Sequence, residues 1–240
     1  MLQKGVTTSR MIGVIANSAL IIIGSLIGLF FKKGLPQRIS ETVMKVLGAY
    51  VLCVGITGIF KSENTLVMLA SLVAGTVTGE IIDIDAGIKK FGNYIEKKAG
   101  VSDEGFAQGF IMGTILYCIG AMGIVGAIEA GTTGDTTTLF AKSILDGVEA
   151  IMFTTSMGIG IIASAGCVLI FEGGIVILAG ILSPVLTSAM IAEISAAGSL
   201  MIMLLGLNIM EITNIKVANL LPAIIFAPLI TLLFTALGIG

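Results

Sequence analysis

Residues 11–31 read MIGVIANSALIIIGSLIGLFF, a run without one charged side chain. A helix of about 20 apolar residues reaches across the hydrocarbon of a bilayer. The pattern recurs along the chain, and eight candidate spans follow: 11–31, 44–60, 65–82, 106–128, 148–171, 173–190, 196–210 and 217–238. The second and seventh are short, so each could instead be re-entrant or tilted within the protein. Lys4 and Arg10 precede the first run, as in a secretory signal. The run is too long for a signal core, however, and Lys32 and Lys33 follow it with no small-residue cleavage site, so it is kept as a mature span.

Composition agrees with this reading. Of 240 residues, 56% are hydrophobic and 12% charged. Soluble domains carry about 25% charged residues, and the mean hydropathy here is +1.09. The expected fold is all-α: a polytopic transmembrane helical bundle of about eight spans, with residues 1–240 forming a single integral membrane domain. There is no histidine, and Cys53, Cys118 and Cys167 lie far apart in apolar runs. Zinc, haem and Ser–His–Asp chemistry need ligands or bases that are missing. The chain is expected to be no enzyme and to use no cofactor, while a metal partner stays open. No basic patch outside the spans suits nucleic acid.

Lysine and arginine placement orients the spans. Lys32, Lys33, Arg38 and Lys45 follow the first span, and Lys89, Lys90, Lys97 and Lys98 follow the third. With Lys216 they favour the cytoplasmic side, against Lys4, Arg10, Lys61 and Lys142 outside. A multi-pass plasma-membrane protein with both termini outside is expected. Residues 81–98 continue from the third span as an amphipathic helix, with Ile81, Ile84, Ile88, Phe91 and Ile95 on one face. Such a helix lies on the headgroups or docks a soluble partner. The segment GVSDEG, 100–105, reads as a linker.

Residues 14–82 and 171–238 each show a glycine-rich span, a more polar connector, a short span, a polar turn and a final span. Span counting gives these two units opposite directions, with central helices over 106–171 between them. Inverted three-helix repeats of this sort are a common plan of secondary transporters; the competing reading is that short hydrophobic hairpins look alike. Gly24/Gly28, Gly75/Gly79 and Gly109/Gly113 give close helix packing and do not by themselves mark a dimer.

Polar side chains inside spans are the candidate ligands for a small solute or ion. Asp146 and Glu149 lie one helical turn apart at the entrance to an apolar segment, and Lys142 can pair with Asp146. Thr154 and Thr155 follow, with Ser156 on the face of Glu149. The acids form either an outward mouth or a solvated helix start favoured by the helix dipole. Asp135, in GTTGDTTTLF, caps the next helix or folds over that mouth. Glu80 closes the third span and either snorkels or faces the interior, and Glu193 in the second connector is its outward counterpart. Asn17, Asn208 and Asn219 bond between helices or coordinate a ligand. Pro184, Pro222 and Pro228 can break helices and free carbonyls.

The stretches ANSALIIIGSLIGLFFKKGLPQRISETVM, CIGAMGIVGAIEAGTTGD, AKSILDGVEAIMF and VANLLPA together resemble the YqgA/YdfK-type family of uncharacterised bacterial membrane proteins (domain of unknown function 554). The resemblance covers essentially the whole chain. It implies a polytopic plasma-membrane protein and hands over no substrate or catalytic residue. From the residues themselves, the expected function is gradient-driven secondary transport of a small solute or ion, with no P-loop for ATP. The alternatives are an oligomeric channel, or a scaffold or sensor acting through helix 81–98. The expected partners are the bilayer, the solute and further copies of the chain.

Overall fold

The structure, a computed structural model, describes residues 2–32, 37–99, 106–118 and 121–238. These fold into α-helices with no strand among them: α1 Leu2–Lys32, α2 Gln37–Ile59, α3 Thr65–Ile82, α4 Ile84–Ala99, α5 Phe106–Cys118, α6 Ala121–Thr132, α7 Thr137–Met157, α8 Gly160–Leu182, α9 Ser188–Ile209 and α10 Ala223–Leu237. A single 3-10 turn, Val217–Leu220, precedes α10. The linker expected over 100–105 and residues 33–36 of the first connector lie outside the described residues.

Six segments are long and apolar enough to cross a bilayer: Arg10–Phe31, Glu41–Ile59, Thr65–Ile82, Gly160–Leu182, Ser188–Ile209 and Val217–Leu237. α5 and α6 make one further candidate, a span bent by 56° at the break between them. The two expected spans 148–171 and 173–190 are replaced by a different division. Gly158, at φ 83° and ψ −159°, ends α7, and α8 then runs unbroken through residue 171 to Leu182. A side chain at Gly158 would be strained in that backbone conformation, so the apolar run is cut there and not in its middle.

The chain divides into two compact units, each built from two separate stretches. Unit 1 is Met1–Ser40 with Glu96–Val185, and unit 2 is Glu41–Ile95 with Leu186–Gly240. Each expected repeat therefore contributes to both units: residues 14–82 give α1 to unit 1 and α2–α3 to unit 2, while 171–238 give the second half of α8 to unit 1 and α9–α10 to unit 2.

In unit 1, α1 and α7 run parallel at very close range. A Cβ at Gly24 would stand 2.2 Å from the Gly147 carbonyl oxygen, and one at Gly28 would stand 2.5 Å from that of Ile151. The expected Gly24/Gly28 pair is thus a packing seam within the chain. α8 runs antiparallel to α1, since Met11 and Val14 meet Gly173 while Ser18 donates to the Ala165 carbonyl oxygen at 3.1 Å. α7 and α8 are consequently a hairpin turning at Gly158. Val14, Ala127, Ala130, Leu139 and Val176 form an apolar core at its open end.

In unit 2, α2 and α9 pack antiparallel, Gly48 meeting Met210 and Gly58 meeting Ser199. α3 and α10 also pack antiparallel, with Gly75 against Ala223 and Gly79 against the Asn219 carbonyl oxygen. α3 does not continue into α4. Asp83 takes a left-handed conformation, φ 53°, and α4 restarts at Ile84. α4 exposes Phe91 and Tyr94 beside Lys89 and Lys90.

Candidate functional site

Glu172 stands at the middle of α8 in the run LIFEGGIVI and is completely buried. An ionised group at mid-span costs about 3 kcal/mol or more unless partnered, and here the partners come from two other helices. Asn17 of α1 donates its Nδ2 to both carboxylate oxygens of Glu172, at 3.2 Å each. The Lys142 ammonium of α7 lies 3.3 Å from Glu172 Oε1 and also donates to Asp146 on the same helix. Asp146 is four residues after Lys142, the spacing at which helical side chains meet.

The site has walls. α6 closes one side, because a Cβ at Gly123 would stand 3.1 Å from Glu172 Oε1 and 3.3 Å from Lys142 Cε. Asn17 is fully buried, and Lys142 and Asp146 are each 6% exposed. One ammonium between two carboxylates gives a formal sum of +1 − 1 − 1 = −1 when all three are ionised. The carbonyl oxygen of Asn17 is buried with no hydrogen-bond partner. So are the hydroxyls of Ser25, Thr114, Tyr117, Thr154 and Ser156, all in unit 1.

Of the ten residues the sequence singles out, Asn17 and Asp146 meet in this cluster. Glu149, one turn on, is half-buried. Thr154 is buried, and Thr155 donates to the carbonyl oxygens of Ile151 at 2.7 Å and Gly28 at 3.2 Å, tying α7 to α1. Asp135 is exposed before α7 and accepts the Thr137 N–H at 2.9 Å, a bond that holds its carboxyl below the usual range. The other four lie in unit 2. Glu80 is exposed. Glu193 is buried in α9, where it accepts the Ser62 hydroxyl and the backbone N–H groups of Glu63 and Asn64, the latter two at 2.8 Å. It lines a cavity of about 310 Å³ with Asn64, Thr231 and Phe234. Asn208 braces the loop after α9 by bonding Thr213 and both backbone groups of Ile215. Asn219 accepts the Asp85 N–H at 2.7 Å, and its Nδ2 is buried without a partner.

Two expectations change. Lys142, counted among the outer loop charges, lies buried in α7 and drops out of that balance. Asp146 is not part of a solvated helix start, because it is buried and paired with Lys142. Glu172 escaped sequence reasoning because the expected boundary between two spans fell on it. A lone carboxylate among aliphatic residues was the available signal.

A family model described as a protein of unknown function, DUF554, matches residues 12–232. The chain belongs to the DUF554 family. It is 31% identical over 233 residues to the uncharacterized membrane protein YdfK of Bacillus subtilis (strain 168), covering 95% of this chain and 99% of that protein. It is 30% identical over 230 residues to the uncharacterized protein YqgA of Escherichia coli (strain K12), covering 94% and 98%. No solved structure matches this DUF554 chain.

Proposed function

We propose that this protein is a secondary transporter of the plasma membrane, moving a small solute or ion down or against a gradient without ATP and without covalent chemistry. The observation that carries the reading is the cluster of Asn17, Lys142, Asp146 and Glu172 buried in unit 1 beside the middle of α8. Buried ionisable groups at that depth are costly, and a purely structural seam is made more cheaply from small residues, as α1 and α7 make theirs. Membrane carriers place such groups where a cargo or coupling ion is bound.

Purified full-length protein in proteoliposomes tests this by uptake of a panel of labelled ions, amino acids and organic acids. Gradient-driven accumulation of one of them is expected, falling to the level of empty vesicles in Glu172→Gln. Flux left intact in that variant would take the cluster out of the mechanism. Absence of uptake across the panel would favour the scaffold reading. That reading is supported by Phe91 and Tyr94 exposed beside Lys89 and Lys90 on α4, a pattern suited to headgroups.

A further inference from the structure

We propose that Glu172 is the group on which this protein carries a proton, and that Asn17 turns its amide to follow the protonation state of that carboxyl. The inference rests on the transport reading and names its coupling ion. With all groups ionised the cluster is one positive charge short. Adding a proton to a Glu172 oxygen makes one O–H bond, breaks one in the hydronium that delivers it, and involves no oxidant or reductant. It leaves Glu172 neutral beside a Lys142–Asp146 pair that is neutral as a whole.

Asn17 supplies the second observation. In the arrangement seen, its NH2 faces both Glu172 oxygens, as an ionised carboxylate requires, while its carbonyl oxygen is buried and unpartnered. A protonated carboxyl gains a donor and needs an acceptor. A half-turn of the Asn17 amide offers that acceptor, so one side chain serves either state with one of its ends. Lys142 has a matching choice, since Asp146 and Glu172 both lie within its reach.

The surroundings favour a proton over a metal ion. Hard cations collect about six or more oxygens. Here Lys142 holds the cationic position, and the backbone at Gly123 shuts one side. Among the described residues no group of three acidic, histidine or cysteine side chains could hold a metal. The charged and titratable groups on the elements packed around Glu172 are few. α1 brings Asn17, Arg10, which is bonded to the Gly131 carbonyl oxygen, and Lys4 and Lys32 toward its two ends. α5 brings Tyr117 and Cys118. α6 brings Glu129, bonded to the Thr138 hydroxyl. α7 brings Lys142, Asp146 and Glu149, and α8 adds Cys167. The buried hydroxyls of Ser25, Thr154 and Ser156 lie further along α1 and α7, on the Gly158 side of the cluster, and make no hydrogen bond to it. Each can both donate and accept.

The test is infrared difference spectroscopy of the full chain in phosphatidylethanolamine–phosphatidylglycerol liposomes as pH is lowered. A band of a protonated carboxyl shielded from water, distinct from that of the exposed acids, should grow, should vanish in Glu172→Gln and should change frequency in Asn17→Leu. Replacing choline chloride by sodium chloride at fixed pH should leave it unmoved. A wild-type protein with no titrating band overturns the assignment whatever the variants do. Retention of the band in Glu172→Gln overturns it too, and erasure of the band by sodium makes this a sodium site. Flux without a titrating band would sink the coupling ion alone. A titrating band without flux of any solute would sink the transport reading and leave the protonation of Glu172 standing.

Discussion

Glu172 in unit 1 and Glu193 in unit 2 are both buried glutamates on long apolar helices, and their partners differ in kind. Glu193 meets the Ser62 hydroxyl and two backbone N–H groups at the approach to α3, where a helix start leaves donors unsatisfied. Its charge is spread over fixed dipoles at a helix end. Glu172 sits in the centre of its own helix, with the first turn of α6 against it at Gly123, and its hydrogen-bond and ion-pair partners are a cation and an amide on side chains. The first arrangement has one state. The second has several ways to share one positive charge among three groups. A buried acid is therefore not a functional sign by itself; whether backbone or side chains satisfy it decides what it can do.

Removing a cation from the unit 1 cluster should have the largest effect. Lys142→Met leaves two buried carboxylates without their partner, and loss of one member of a buried ion pair costs about 3–5 kcal/mol. Thermal unfolding in detergent should show this loss growing with pH, since alkaline conditions keep both acids charged. A loss independent of pH would mean the lysine matters for packing alone.

Glu193→Ala should cost less, about 1–3 kcal/mol, for the N–H groups it leaves unpaired. Hydrogen exchange should rise at Glu63 and Asn64, and transport should be retained. Transport abolished by this change, in protein that is still folded, would erase the contrast between the units.

The smallest effect is expected at the surface of unit 2. Lys216 lies 3.2 Å from Asp83, both about half exposed. The hydrogen bond to Lys216 holds the Asp83 carboxyl below its ordinary range, and the same bond raises Lys216. Stabilisation from the Asp83 side is complete above the unfolded carboxyl's range and fades as pH falls through the folded value. From the Lys216 side it is complete below the ordinary lysine range and fades as pH rises through the folded value. The difference in melting temperature between wild type and Asp83→Asn should therefore be small, confined to the interval between those limits, and suppressed by salt. A difference that persists at high salt would not come from the ion pair, and the left-handed backbone at Asp83 would not explain it either, because asparagine is also well tolerated there.

Much of the fold is legible before any coordinates. The spans at 11–31, 65–82 and 217–238 lie within one residue of segments apolar enough to cross a bilayer, because length and hydropathy are local properties, although α1 itself starts at Leu2 and α10 at Ala223. Asn17 and Asp146 stand out for the same reason: each is a polar residue in or beside an apolar run. The join at 171–173 is not legible this way. The run from Ile159 to Ala179 contains one charge, and hydropathy alone gives no reason to break it at Gly158. Reading Glu172 as a boundary residue hid the most buried acid of unit 1 in plain view.

The chain by itself determined that this is a helical membrane protein and where most of its apolar segments lie, since backbone groups in lipid must bond within their own helix. Only the tertiary structure decided which polar residues meet. Asn17 and Glu172 are 155 residues apart. They touch because small residues let α1 press against α7 while α8 returns beside it, and that depends on side-chain fit between helices that no single segment encodes.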